Sequence, residues 1–338
     1  MKIIKTILPG ILLCLLIAVP CWLLGKSLPI IGAPVFGITF GIIIGIFLSK
    51  NIYKFETGIK YTSKKLLQYS IILLGFEMNL YNIINVGSQS LYVMFFTISV
   101  SFLTAYFVGK ALKLQGKMTT LIGVGTSICG GSAIAATAPV IQAKDEDVAH
   151  AISTIFLFNV IAVFIFPAIG HALGMTDIGF GMWAGTAIND TSSVVAAGAS
   201  WSAVAGNNTA LAFATIVKLT RTLMIVPITL VLAIYTSKNN KSMNNTSSFK
   251  FSKIFPWFVL GFLGVSIINT FLDIPVQVSH ELVETGKFMI TMAMAAIGLN
   301  TNLKKLIRNG FKPIFLGLCC WLAVASTSII VQLVMKTM

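Results

Sequence analysis

Charge is what this sequence has least of, and acid least of all. Asp and Glu together number 10 in 338 residues, against 24 Lys and Arg, and His occurs three times. Charged residues make up 10% of the chain, where soluble domains carry about 25%. Hydrophobic residues reach 56% and the mean hydropathy is +0.91. These values exclude a water-soluble globular domain and point to an all-α polytopic membrane protein. The longest polar stretch, roughly Ser237 to Lys253, leaves no room for a separate soluble domain. Chemistry is scarce too. No C-x-x-C pair exists, and Cys14, Cys21, Cys319 and Cys320 sit inside apolar runs, where they read as small buried hydrophobes. Paired carboxylates, a metal-ligand cluster and a nucleophile–base pair are all missing, so neither an enzyme nor a resident cofactor is expected. A coupling Na⁺ or H⁺ remains open.

The formal net charge of +14 does not mark a nucleic-acid partner. Its Lys and Arg residues lie in short connections between apolar runs: Lys50 to Lys65, Lys110 to Lys117, Lys238 to Lys253 and Lys304 to Lys312. The alternate connections, Tyr81 to Gln89 and Phe271 to Glu281, contain no Lys or Arg. This alternation is the positive-inside pattern. It predicts a multi-pass cell-membrane protein with its N-terminus in the cytoplasm and its C-terminus outside. Met1 to Leu24 resembles a signal peptide but has no small-residue cleavage site, and it reads as a retained first helix.

Nine to eleven membrane segments are expected in a single domain over residues 1–338: Lys5–Leu24, Ala33–Ser49, Leu66–Ile84, Ser90–Leu112, Met118–Ala143, Val148–His171, Ile178–Ser200, Thr209–Tyr235, Ile254–Phe271, Leu282–Leu303 and Phe311–Met335. Gly37, Gly41 and Gly45 mark a close-packing face. Ile72 to Gly87 and Ala295 to Gly310 share Gly75/Gly298, Asn79/Asn302, Leu80/Leu303, Ile84/Ile307 and Gly87/Gly310. By the loop charges these copies run in opposite directions, the pattern of an inverted repeat.

A second repetition carries the functional argument. Gly125-Thr-Ser-Ile-Cys-Gly-Gly-Ser-Ala-Ile-Ala-Ala136 and Gly185-Thr-Ala-Ile-Asn-Asp-Thr-Ser-Ser-Val-Val-Ala196 agree at five of twelve positions. Both place small and polar residues where a membrane helix should be purely apolar. Broken backbone is tolerated in a bilayer only where protein buries it or it lines a wet cavity. Two such breaks, near 118–143 and 178–200, predict a transporter's binding site. They are either broken spans running parallel, or hairpins entering from opposite faces and meeting tip to tip.

Each break offers unpaired amides at one half-helix end and unpaired carbonyls at the other. Ser132, and Thr191 with Ser192, are expected to cap the amide ends, which suit an anion. The carbonyl ends suit Na⁺. The expected solute-binding residues are Thr126, Ser127, Cys129, Gly130, Gly131, Ser132, Asn189, Thr191, Ser192, Lys218 and Arg221. Asp190 is the expected coupling-ion ligand or proton carrier. Lys218 and Arg221, three apart on one helix face, either bind the anion or neutralise Asp190. Glu77 lies near a helix end and is ambiguous between snorkelling and function.

The runs GVGTSICGGSAIAATAPVIQA, GTAINDTSSVVAAG, IVKLTRT and MAMAAIGLNT closely resemble the YeiH-like sulfate exporter family of bacterial membrane proteins. The resemblance covers nearly the whole chain. It implies the cation:proton antiporter and anion transporter group, a bile-acid:sodium symporter-like fold, a homodimer in the plasma or inner membrane, and elevator-type movement of a core. Some relatives have His-Glu where this chain has Asn189-Asp190, and a basic residue where it has Glu77, which puts proton coupling and substrate choice in question. The expected function is ion-coupled transport of a small anion, sulfate or an organosulfonate. The alternative is a cation:proton antiporter with Asp190 as carrier.

Overall fold

The computed structural model describes residues 2–28, 32–48, 52–239, 257–272, 274–301 and 310–338, and all regular structure among them is helical. In chain order the α-helices are α1 (Lys2–Ser27), α2 (Ala33–Phe47), α3 (Glu56–Tyr61), α4 (Leu67–Leu74), α5 (Leu80–Ala111), α6 (Gly116–Ser127), α7 (Gly131–Val140), α8 (Asp145–Ala172), α9 (Asp177–Ala187), α10 (Thr191–Ala205), α11 (Thr209–Leu223), α12 (Ile225–Asn239), α13 (Trp257–Phe271), α14 (Val276–Asn300) and α15 (Phe311–Met335). A π-helical turn, Thr62–Leu66, joins α3 to α4 in one column. Among the described residues, six helices are long and apolar enough to cross a bilayer: Thr6–Ser27, Leu80–Ala111, Glu146–Ala172, Thr209–Leu232, Val276–Asn300 and Phe311–Met335. Leu16, Phe47, Phe95, Phe107 and Val334 are exposed on this surface, as lipid-facing side chains should be. The protein is an all-α polytopic membrane protein.

Small residues set the closest packing. A Cβ on Gly41 would strike the carbonyl of Ala295, one on Gly298 would strike that of Ile38, and one on Gly45 would strike that of Leu299. The Gly37–Gly45 face therefore lies backbone to backbone on α14. Residue numbers rise together along this contact, so α2 and α14 run parallel. Gly10 and Gly58 seat α1 on α3 in the same way.

Two expected boundaries move. The third segment stops at Glu77, where Met78 and Asn79 become extended. The Asn79 side chain then accepts from the Tyr81 amide at 2.8 Å and starts α5. Tyr81 to Gln89, expected as a loop, is the first part of a 32-residue helix, because this cap lets an amphipathic stretch join the span directly. Likewise α14 begins at Val276, inside the expected Phe271–Glu281 connection. The Ile72/Ala295 repeat falls where α4 passes to α5 and where α14 approaches α15. Its positions Asn302, Leu303 and Ile307 lie outside the described residues, as does most of Ser237 to Lys253.

The centre of the chain holds α6–α7, α8, α9–α10 and α11, with α1 to α5 before it and α12 to α15 after it. The two broken segments sit on either side of α8, whose 28 residues span about 42 Å at 1.5 Å per residue. The second segment therefore starts from the membrane face opposite the first.

Candidate functional site

Both broken segments fold back on themselves. Lys117 at the start of α6 donates to the Gln142 carbonyl just beyond α7, at 2.7 Å. A Cβ on Gly125 would meet Ile134 at 2.8 Å, so the return arm lies against the outgoing one. In the second segment Trp201 Nε1 donates to Asp177 Oδ1 at 2.7 Å and Asn207 Nδ2 to Asp177 Oδ2 at 2.8 Å. Phe180 stacks on Trp201 with ring centroids 4.1 Å apart. Each segment thus returns to the face it came from. Of the two arrangements the sequence left open, the molecule has re-entrant hairpins. Their arms of 10 to 15 residues reach about 15–22 Å, near the bilayer midplane. The tips meet there: a Cβ on Gly130 would lie 3.8 Å from the Asn189 carbonyl carbon.

The first tip turns by glycine. The Gly130 amide bonds the Gly125 carbonyl at 2.9 Å, a 6→1 closure of the helix end. Gly130 sits at φ +67, where a side chain would be strained. The second tip turns by extended backbone at Ile188 and Asp190, with ψ of 132 and 141.

The carbonyl ends of α6 and α9 are occupied from behind. Lys218 Nζ donates to the Ile128 carbonyl at 2.7 Å and to the Ile188 carbonyl at 3.0 Å, tying the tips together. Arg221 Nε donates to Ser127 O at 2.7 Å and Nη2 to Thr126 O at 2.7 Å, while Nη1 donates to Thr186 O. Both side chains are completely buried. The carbonyls expected to suit Na⁺ are therefore engaged by the protein's own cations. The physical fit is good, because a helix C-terminus carries about half a negative charge and five orphan carbonyls meet five donor contacts. No ion pair among the described residues joins Asp190 to Lys218 or Arg221.

The amide ends differ. At α7, Gly130 is the N-cap and no side chain caps it; Ser132, expected in that role, is exposed instead. At α10, Asp190 is the N-cap, and its Oδ2 accepts from the Ser192 amide at 3.1 Å and from the Ser192 hydroxyl. Thr191 and Ser192 are thus capped residues rather than caps. Both amide ends border one cavity of about 350 Å³. Gly131, Ser132, Asp190, Thr191 and Ser192 line it, with Asn159 of α8 and Ser63, Lys64 and Gln68 of the α3–α4 column. The Asp190 amide donates to Asn159 Oδ1 at 3.3 Å, which couples α8 to the second tip.

The predicted site residues therefore divide. Five reach the cavity wall. Thr126, Ser127, Cys129, Gly130, Asn189, Lys218 and Arg221 lie behind the tips and do not line it. Asn189 is fully buried, and neither its side-chain oxygen nor its nitrogen has a hydrogen-bond partner among the described residues. Lys64 and Gln68 escaped the sequence reading, because Lys64 falls in a basic run that serves equally as a topology signal. Glu77 is far from the tips; its Oε1 accepts from Asn208 Nδ2 at 2.6 Å beside the base of the second hairpin.

Fold and site together define a polytopic helical membrane protein with two opposed re-entrant hairpins closing on a cavity that has polar groups at the tips and apolar walls. The family model described as conserved hypothetical protein 698 matches residues 9–317, and the chain belongs to that family. It is 52% identical to a UPF0324 membrane protein of Fusobacterium nucleatum, over 96% of each chain. It is 51% identical to a UPF0324 membrane protein of Streptococcus agalactiae, over 98% of this chain and 99% of the other. A UPF0324 membrane protein of Streptococcus mutans is 49% identical over 96% of each chain. No solved structure matches the chain.

Proposed function

We propose that the protein is a secondary-active transporter of a small oxyanion, sulfate or an organosulfonate, bound at the paired hairpin tips and coupled to H⁺ through Asp190. The observation that carries this reading is the sorting of helix ends. The carbonyl ends are closed by Lys218 and Arg221, and the amide ends face the cavity. Two full positive charges sit against two half charges of about −0.5, and two amide ends add about +0.5 each, so the tips hold roughly +2 before Asp190 is counted. A small anion meets that field with amides, the Ser132 and Thr191 hydroxyls and the Asn159 amide as donors. Asp190, within the same wall, changes the field by one charge when it takes up a proton.

The basic loops place the face bearing Lys117 and Gln142 in the cytoplasm, with the C-terminus outside. Export, elevator movement and a homodimer follow from the resemblance to the YeiH-like family and rest on that alone. A cation:proton antiporter is the second reading, favoured by the position of Asp190 on the cavity wall. The engagement of the tip carbonyls by Lys218 and Arg221 weighs against it.

Reconstituted vesicles test the proposal. Radiolabelled sulfate should exchange across the membrane in a pH-dependent way. A Cβ on Gly131 would meet nothing within 4 Å, so Gly131→Val should fold normally while its side chain projects into the cavity. Exchange should fall at least about tenfold with an unchanged melting temperature. Wild-type rates in Gly131→Val would remove the site from the tips. A pH gradient dissipated by Na⁺ or K⁺ without any anion would establish the antiporter instead.

A further inference from the structure

With Lys218 and Arg221 engaged by backbone carbonyls and absent from the cavity wall, the proposed anion has no side-chain cation at the tips themselves. The cavity supplies one elsewhere. Among the residues lining it, Lys64 and Asp190 are the two with formal charge. Lys64 lies on the π-helical turn Thr62–Leu66. Lys64, Gln68 and Ile71 follow helical spacing, and all three line the cavity.

A π turn carries the lysine at the cavity wall. Earlier in the column, Glu56 and Lys60 pair at 2.5 Å on an exposed face. In an uninterrupted α-helix, residues 56, 60 and 64 would share that face. One extra residue in the turn rotates everything after it by about 100°. Lys64 lies within the turn and lines the cavity, as Leu67, Gln68 and Ile71 do beyond it. The Thr62 hydroxyl donates to the Gly58 carbonyl at 2.9 Å, at the start of the turn. Single π turns recur at functional positions, because they re-aim one side chain without ending the helix.

We infer that Lys64 is the side-chain counter-charge of the transported anion, a specificity-determining residue facing the hairpin tips from the α3–α4 column. This deepens the transporter reading and rests on it. The tips supply amides and a diffuse positive field; Lys64 supplies a localised ammonium with three donors on a flexible stem. An anion held between them bridges the hairpins and the column. Uncharged solutes of equal size gain nothing from Lys64, so the residue sorts by charge.

The experiment measures sulfate and methanesulfonate concentration dependence in vesicles carrying wild type, Lys64→Gln, Lys64→Met and Lys64→Arg, with melting temperatures of each. Both neutral variants should raise the half-saturation concentration about tenfold or more at little cost in maximal rate, with melting unchanged. Lys64→Arg should return to within about threefold of wild type, because the charge matters more than the shape. Unaltered half-saturation in Lys64→Gln and Lys64→Met would overturn the proposal while leaving the tip site standing. Wild-type protein that moves neither anion would overturn the transporter reading itself. A fall in maximal rate alone, not restored by Arg, would make Lys64 a structural part of the π turn and end its assignment as counter-charge.

Discussion

The two hairpin tips have one architecture and two chemistries. Both break at the midplane and both hand their carbonyl ends to α11. Position for position, Gly130 in the first repeat stands where Asp190 stands in the second. Gly130 turns the chain at φ +67 and leaves the following amides without a side-chain cap; Asp190 stays extended and caps with a carboxylate. One tip is therefore a bare positive end and the other a positive end with its own titratable counter-charge. A repeated element thus ends uncapped in one copy and carboxylate-capped in the other, and the proposed transporter would use the first for its anion and the second for its proton.

The largest effect should come from the element the tips share. Arg221→Ala removes the donors to three buried carbonyls and Lys218→Ala those to two. Orphaned buried acceptors cost about 1 kcal/mol or more each, so Arg221→Ala should destabilise by about 3 kcal/mol and Lys218→Ala by about 2. Thermal unfolding in detergent checks the order, and near-native melting of Arg221→Ala would mean the tips do not depend on α11. Loss of transport in either variant would reflect lost tips, not a lost solute contact.

Gly130→Ala comes next. Forcing a side chain into that positive φ should cost about 1–3 kcal/mol and act on the first tip alone. The comparison sharpens if Asp190→Ala, which loses only a cap, costs about 1 kcal/mol in the same melting assay. Equal costs would mean the two turns are not held differently.

The smallest effect should come from Asn189. Its amide is buried and unpartnered, so Asn189→Leu, which keeps the branched shape but is bulkier, should cost little, the relief of two unpaired polar atoms offsetting the added bulk. If sulfate exchange nevertheless falls, Asn189 meets the solute when the tips part, and the second tip contributes more than its cap.

Much of this was legible in the residues. Gly-Thr-x-Ile at 125 and 185 located both breaks to within a residue or two, since small and polar side chains at membrane depth have few other uses. The Gly37–Gly45 spacing announced a backbone contact, which proved to be with α14. Lys218 and Arg221 stood out by their cost in lipid, about 2.5–3.5 kcal/mol each, which requires partners but does not name them. Cations near a break attract either an anion or carbonyl dipoles, and only placement decides between them. Lys64 was hidden because a cytoplasmic lysine and a cavity lysine look alike until the packing of the column against the hairpin tips is known.

What the sequence determined by itself was the solvent and the interruptions: apolar composition requires a bilayer, and glycine, serine and aspartate within apolar runs require breaks that protein must shelter. What only the tertiary structure decided was the direction in which each break points. Both a crossing span and a hairpin satisfy the same local hydrogen bonds. The choice was made by contacts distant in the chain, Lys117 to Gln142, Asp177 to Trp201, and α11 to both tips, and these turned equivalent helix ends into one closed by cations and one open to the cavity.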